Sequence, residues 1–367
     1  MRDEVMITGV GLISPLGDQV SRLLELVDAG ELARRRAVFV PFPEGLDGPG
    51  EGAFVLRVPD PEPAQIPNLR RPFPDRMTLM AIQAADRALA SAGVVSGAVD
   101  PARAGVVANT CYGPSTTVER YLRTLLTEGP GQVSAITFAR AVSNAMVGEL
   151  ARRHRLRGPS TLVVSSAALG YAADVLSSGG ADLMLCVGVD LLGDYTPWYH
   201  RRAGMLAGGL VLGEASAALV LERRDAARAR GATAHARVLD YGTAFCPEAV
   251  QRVTGFTPES MRQAMEQALS LSKISPGDVD TLVAIDNGDR ALGAAERAMA
   301  EELLPRGVRV LAPKRTIGEC FGASEVLGAA IAAAALSAGD GRSRVSVVNA
   351  GQLGGALSST VLAKVLA

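Results

Sequence analysis

Residues 156–168 read Leu156-Arg157-Gly158-Pro159-Ser160-Thr161-Leu162-Val163-Val164-Ser165-Ser166-Ala167-Ala168. Within them Leu162–Val164 is a short apolar run with no alternation, and Leu183–Val187 is a second such run after a short helix near Leu169–Ser177. Continuous apolar runs of this length predict strands buried on both faces of a layered sheet. Upstream, Val5–Ile7 reads as a strand entering a glycine-rich turn (Thr8-Gly9-Val10-Gly11), and Ser14-Pro15-Leu16-Gly17 leads into a helix over Val20–Asp28. Residues 41–75 are crowded with proline, from Pro41 through Pro49 to Pro74, which predicts an irregular surface excursion without a long helix. Arg76–Ala92 then sets Met77, Met80, Ala81, Ala84, Ala88 and Leu89 on one helical face. Ala104–Ala108 follows as a strand, and Thr116–Thr127 and Ala139–His154 as amphipathic helices.

Downstream, strands Ala217–Leu221 and Ala236–Tyr241 flank a basic helix, Asp225–Arg230. Past an irregular stretch at Phe245–Thr257 a second round begins. It comprises helix Pro258–Leu271, strand Thr281–Ile285, helix Leu292–Leu303, strand Val308–Leu311, helix Ala323–Leu336 and strands Val345–Val348 and Ser358–Val365. Two rounds of mixed strand and helix order predict a duplicated, layered α/β/α architecture, divided into residues 1–245 and 246–367.

Composition narrows the function. The 367 residues are 48% hydrophobic but only 4% aromatic, with 40 glycines, so the core depends on close packing of small residues. With 37 basic and 38 acidic residues the net charge is −1, which gives no global field for nucleic acid or an anionic membrane. Cys111, Cys186, Cys246 and Cys320 lack metal-ligand spacing, and three histidines supply no zinc cluster, so neither metal nor cofactor is expected. Met1-Arg2-Asp3-Glu4 runs straight into an apolar strand, which predicts no leader. The most apolar stretch, Val326 to Gly339, is too short for a bilayer and reads as a buried Ala-rich helix. A cytoplasmic protein is the expectation.

Four segments, in order, resemble the β-ketoacyl synthase (condensing enzyme) family. They are Val5-Met6-Ile7-Thr8-Gly9-Val10-Gly11-Leu12-Ile13-Ser14-Pro15-Leu16-Gly17, then Leu156–Ser160, then Gly208-Gly209-Leu210-Val211-Leu212-Gly213-Glu214, and last Asn349-Ala350-Gly351-Gln352-Leu353-Gly354-Gly355. The resemblance implies a thiolase-like fold, α/β/α/β/α in layers with two pseudo-duplicated halves, and with it a dimer. In the family a cysteine follows the Gly-Pro segment at a helix N-terminus, where the dipole favours the thiolate. Here Ala167 stands in that place, and a methyl group cannot form a thioester. Two family histidines stabilise the developing enolate. Counting from Gly293 puts Asp286 at the first, and counting from the retained Lys314 puts Glu319 at the second, with Lys314 free to pair with either carboxylate. Carboxylates at both places would oppose the chemistry. His154 and His200 sit among arginines and His235 precedes a strand, which predicts surface or capping roles.

A condensing-enzyme fold without its reacting groups resembles the chain-length factor, the β partner of a type II polyketide ketosynthase. That resemblance implies heterodimerisation with an active, cysteine-containing ketosynthase, and contact with an acyl carrier protein mainly through that partner. It also implies that Cys111, Tyr112, Thr116, Phe138 and Val142 line the interface or the acyl tunnel. Gly351 and Leu353, followed by Gly354 and Gly355, replace the two phenylalanines of the family's gating loop. Arg34-Arg35-Arg36, and Arg223-Arg224 with Arg228 and Arg230, are solvated charge or contacts for the acidic carrier. The short segment Leu191–Leu206 suits a smaller subclass such as polyene-making systems. Two other readings stand beside this one. One is a condensing enzyme with a displaced nucleophile at Cys111, Cys320, Ser165 or Ser166. The other is a stand-alone homodimer that binds acyl thioesters.

Overall fold

The structure, a computed structural model, describes residues 4–46, 51–69, 71–95, 98–338 and 341–365, so Pro49 and Gly339 lie outside the described residues. The first half runs β1 (Val5–Ile13), α1 (Val20–Asp28), β2 (Val38–Pro41), β3 (Gly52–Leu56), α2 (Arg76–Ser91), β4 (Ala104–Asn109), α3 (Ser115–Thr127), α4 (Ala135–Arg140) and α5 (Ala145–His154). It continues with β5 (Ser160–Val163), α6 (Ala168–Ser177), β6 (Leu183–Asp190), α7 (Thr196–Arg202), β7 (Leu212–Gly213), β8 (Ala215–Arg223) and α8 (Arg224–Ala229). The second half runs β9 (Ala236–Phe245), α9 (Pro258–Ser272), β10 (Thr281–Val283), α10 (Arg290–Leu303), β11 (Arg309–Leu311), α11 (Pro313–Ile317), α12 (Ser324–Ser337), β12 (Val345–Gly351) and β13 (Ala356–Ala363).

Ten strands form one sheet in the order β11-β10-β12-β13-β9-β1-β8-β6-β4-β5. The order is symmetric about the β9–β1 junction, where Val5–Ile7 pairs antiparallel with Ala236–Val238. On each side of the junction lie two antiparallel neighbours and then a parallel trio: β1, β8, then β6-β4-β5, against β9, β13, then β12-β10-β11. The duplication therefore shows in strand pairing. It also puts β9 at the head of the second half, so the division falls before Ala236 and not after Phe245.

The layers follow from which helix faces are apolar. Helix α12 is buried almost all round, as expected of a helix with no wet face. Together with α6 it lies between the halves, and both helices touch strands of each. Their residues share one core with Ile7, Leu219 and Leu221 from one side and Val283, Val348 and Leu362 from the other. Helices α2 and α5 cover the outer face of the first half, and α9 and α10 that of the second. Glycine sets the closest approach: a Cβ on Gly11 would lie 2.0 Å from the Ala84 carbonyl oxygen of α2, and one on Gly9 2.2 Å from that of Ala88.

Two local expectations change. The proline-rich excursion is not wholly irregular, because Gly52–Leu56 pairs with β2 on one side and β7 on the other in a small three-stranded sheet. The helix expected over Ala139–His154 is broken into α4 and α5, which leaves Ser143 against Gly113 in the β4–α3 loop. No described helix is long and apolar enough to cross a membrane.

One buried carboxylate ties the excursion to the body. Glu214, fully buried, accepts the Leu192 and Val58 N–H groups at 3.0 and 2.9 Å and both terminal nitrogens of Arg76 at 2.9 and 2.7 Å. A buried, bidentate pair is costly to break from one side, because the other charge is left unpaired. Glu214→Ala is expected to lower unfolding stability by about 3–5 kcal/mol in a denaturant titration, whereas a change below about 1 kcal/mol, as for a surface pair, would contradict this role.

Candidate functional site

Strand β5 ends at Val163, and the turn through Ser166 delivers the chain into α6. Ala167 is the N-cap residue of α6 (φ −129°, ψ 29°) and has no side chain with which to cap it. The free N–H groups of a helix start need acceptors. Glu325, in the first turn of α12, provides them: its Oε2 accepts the Ala168 N–H at 2.8 Å and its Oε1 the Leu169 N–H at 3.1 Å. Burial pushes this carboxyl up to about 8, against the pull of the two backbone donors. Reading 323–336 as an apolar helix overlooked Glu325. The signal was present, since a lone carboxylate inside an otherwise apolar run must find partners in the interior.

The loops after β10 and β11 meet around a second carboxylate. Lys314 Nζ lies 2.8 Å from Glu319 Oε2, with both side chains buried. Asn287 Nδ2 donates to the same oxygen at 2.8 Å, while the Phe321 N–H and the Ser324 hydroxyl donate to Oε1 at 3.0 and 3.2 Å. Burial alone would raise the pKa of Glu319, but Lys314 and these donors hold it below the ordinary carboxylate range. Lys314 thus pairs with Glu319 and not with Asp286. The Asp286 carboxylate turns back on its own loop, accepting the Gly288 N–H at 2.9 Å, and faces Arg315 at 3.4 Å and Arg297 at 3.8 Å. It borders a groove of about 380 Å³ between α1 and the β10–β11 edge. The side chain brought to Glu319 is therefore Asn287, one residue on from the position that counting back from Gly293 indicated. Only about 20 Å³ lies beside Asn287 and Gly288, room for one water.

Asp190, at the end of β6, anchors the remaining loops. It accepts the Thr110 hydroxyl and the N–H groups of Cys111 and Gly322 at 2.7 Å each, and the Tyr112 N–H at 3.0 Å. Burial raises it to about 6. Gly322 is required here, because a Cβ would lie 2.5 Å from Thr110 Cα. Tyr112, Cys111 and Leu353 gather around buried Phe321, whose ring centre is 5.0 Å from that of Tyr112. The Tyr112 hydroxyl is 2.6 Å from His200 Nε2. His200 is fully buried on α7, within the short segment Leu191–Leu206, and burial lowers it to about 4. The surface or capping role expected for His200 is therefore replaced by a neutral core histidine.

Thr116 lies half-buried in the first turn of α3. Phe138, on α4, packs on Tyr121 with ring centres 5.6 Å apart, yet is 57% exposed; Val142, just beyond, is 46% exposed. These two face outward, away from the Tyr112 cluster. The β12–β13 hairpin that carries Gly351, Leu353, Gly354 and Gly355 is pinned by the Gly354 N–H to Val250 O at 3.0 Å and the Cys246 N–H to Gly355 O at 2.9 Å. Gln352 bonds Asn109 and the Thr110 carbonyl, each at 3.2 Å. The ring of Phe256 occupies the space beside Gly351, 2.5 Å from where its Cβ would be.

The side chains that the sequence offers as a displaced nucleophile are Cys111, Cys320, Ser165 and Ser166. Burial, reinforced by Asp190, raises the Cys111 thiol, and burial with Glu319 beside it pushes Cys320 up to about 12. His154 lies 3.5 Å from Asp86, and His200 bonds Tyr112, so neither serves Ser165 or Ser166 as a base. Among the described residues no cluster of three or more His, Cys, Asp or Glu side chains is set to hold a metal.

Residues 2–227 match the family described as Beta-ketoacyl synthase, N-terminal domain, and residues 235–340 its C-terminal domain. The tetracenomycin polyketide synthase ketoacyl synthase beta subunit of Streptomyces glaucescens is 30% identical, over 89% of this chain and 84% of its own. A 3-oxoacyl-[acyl-carrier-protein] synthase 2 from Rhizobium meliloti is 27% identical, over 90% of this chain and 86% of its own. Among solved structures, the ishigamide ketosynthase/chain length factor superposes with a TM-score of 0.87 at 23% identity, each chain covered in full.

The raised Glu325 carboxyl has a consequence for stability. A folded-state pKa of about 8 against an ordinary 4.5 means that folding favours the protonated form. That contribution is complete below about 4.5 and is lost as pH rises towards 8. Glu325→Gln is expected to raise the melting temperature at pH about 8.5 relative to the parent and to flatten its fall above pH about 5. Parallel curves for the two proteins would contradict this.

Proposed function

Because the chain belongs to the β-ketoacyl synthase family, we propose that it is a non-catalytic, chain-length-factor-like subunit. In this role it pairs with an active, cysteine-bearing ketosynthase and shapes that partner's acyl tunnel in type II polyketide assembly. The observation that carries this reading is the head of α6, where Ala167 offers a methyl group and the first N–H groups are spent on Glu325. The enolate side agrees: Glu319 is an ionised carboxylate already bonded to Lys314 and Asn287, and a negative charge there opposes a developing enolate.

The outer surface supports a pairing role. Strand β5 ends the ten-stranded sheet and is paired on one side only. An unpaired edge invites another chain. Leu122 and Leu126 on α3, Phe138 on α4, Val142 beyond it and Val164 just past β5 are between 45% and 81% exposed, and large apolar side chains left in solvent suit an interface. In this reading Tyr112, half-buried against Phe321, and Thr116, half-buried in the first turn of α3, form the tunnel wall. For the carrier protein, the exposed Arg34, Arg35, Arg36 and Arg228 are the candidate cations of this reading. Arg224 and Arg230 are spent on Glu4 at 2.7 Å and Glu222 at 2.6 Å.

Co-expression with the cysteine-bearing ketosynthase of the same system should give a 1:1 complex on size exclusion, with Phe138→Glu weakening it. A protein that remains a homodimer indifferent to that ketosynthase would favour the stand-alone acyl-binding reading. Within the complex, Tyr112→Ala should lengthen the product and Thr116→Trp shorten it, read by mass spectrometry. Unchanged lengths in both would remove the wall assignment. Ala167→Cys alone should leave the isolated subunit unable to condense, since Glu319 and Asn287 remain.

A further inference from the structure

We propose that Glu325 is an internal stopper of the acyl site: its carboxylate fills the head of α6 and so bars an activated thiol there, independently of the missing sulfur. The proposal rests on reading Ala167 as the nucleophile's place.

Helix α6 has ten residues, and its N-terminus carries a partial positive charge and free N–H groups. In a thiol enzyme that end would favour a thiolate. Here a carboxyl group is already seated on it. Glu325 reaches from α12, buried, and takes the Ala168 and Leu169 N–H groups with one oxygen each. Every neighbour in the first turns of α12 is apolar or small (Ala323, Ser324, Val326, Leu327), so nothing else there competes for the carboxylate. Its reach to sulfur is visible at Cys186 of β6, whose thiol is raised by burial and then by Glu325. A thiolate on residue 167 would stand at a helix end whose first N–H groups are already taken, so the donors that would stabilise its charge are missing. The site is thus closed twice, once by the absent sulfur and once by the carboxylate.

The test uses the purified full chain carrying Ala167→Cys, with and without Glu325→Ala, which frees the Ala168 and Leu169 N–H groups. Iodoacetamide alkylation is followed from pH about 6 to about 10 by peptide mass mapping at position 167. Ala167 is half-buried and within reach of the reagent, and mapping separates it from the buried Cys186, Cys246 and Cys320. The single variant's thiol should titrate at or above the free-cysteine value of about 8.5, and the double variant should alkylate about tenfold faster at pH about 7. A single-variant thiol titrating well below free cysteine overturns the proposal, as does an unchanged rate in the double variant. If the double variant does not fold, the single variant's titration decides by the same criterion. Neither result depends on a companion ketosynthase, so this proposal and the pairing role can fail separately.

Discussion

The two inner helices of the molecule are joined by a carboxylate. Helices α6 and α12 lie between the half-sheets, where no water satisfies a polar group, so any charge or free N–H in that layer must be matched from within. Glu325 meets both needs at once, capping α6 with the side chain of α12. Most of the layer's remaining surface is alanine, leucine and valine, which lets the half-sheets close on the helices without large rings. The loops that hang from the ends of these helices and strands are held in place by that packing, and they build the site.

Those loops divide into an inward part that is chemically closed and an outward part that is open. Inward, the buried carboxylates are satisfied: Glu319 accepts from Lys314 and Asn287, and Asp190 from the N–H groups of Cys111 and Tyr112. Buried pairs of this kind add little net stability, but they fix geometry and are expensive to disturb from one side. Outward, α3, α4 and the β5 edge expose Leu126, Phe138 and Val164. This arrangement suits a protein that lends surface to a partner and keeps its own pocket occupied. Phe256 beside Gly351 fits the same pattern, since a ring from another loop fills the space left open in the hairpin.

Most of the architecture could be read from the chain. The strands of both rounds have apolar runs that no surface segment would carry, but Gly9 and Gly11, expected in a turn, continue strand β1, where their missing side chains admit α2. The sequence was silent where tertiary contacts override local signals. Strand β3 lies among prolines and is held by β2 and β7, which no local pattern shows. His200 is surrounded in sequence by Tyr199, Arg201 and Arg202, yet helix α7 turns it alone into the core. Counting from Gly293 chose Asp286, whereas the hydrogen bond to Glu319 shows that its neighbour Asn287 faces the site. That Lys314 would meet a carboxylate was legible, because a buried lysine demands a counter-charge, but the choice of Glu319 over Asp286 comes from the structure.

The claim that the chain accepts no acyl group is best tested by intact mass. The isolated protein would be incubated with acyl and malonyl thioesters of a carrier protein, and both protein and thioester products weighed. An unchanged protein mass, with no new carbon–carbon bond in the products, is the predicted result. A protein heavier by one acyl group on any residue, or an extended β-ketoacyl product formed without a companion synthase, would contradict the account.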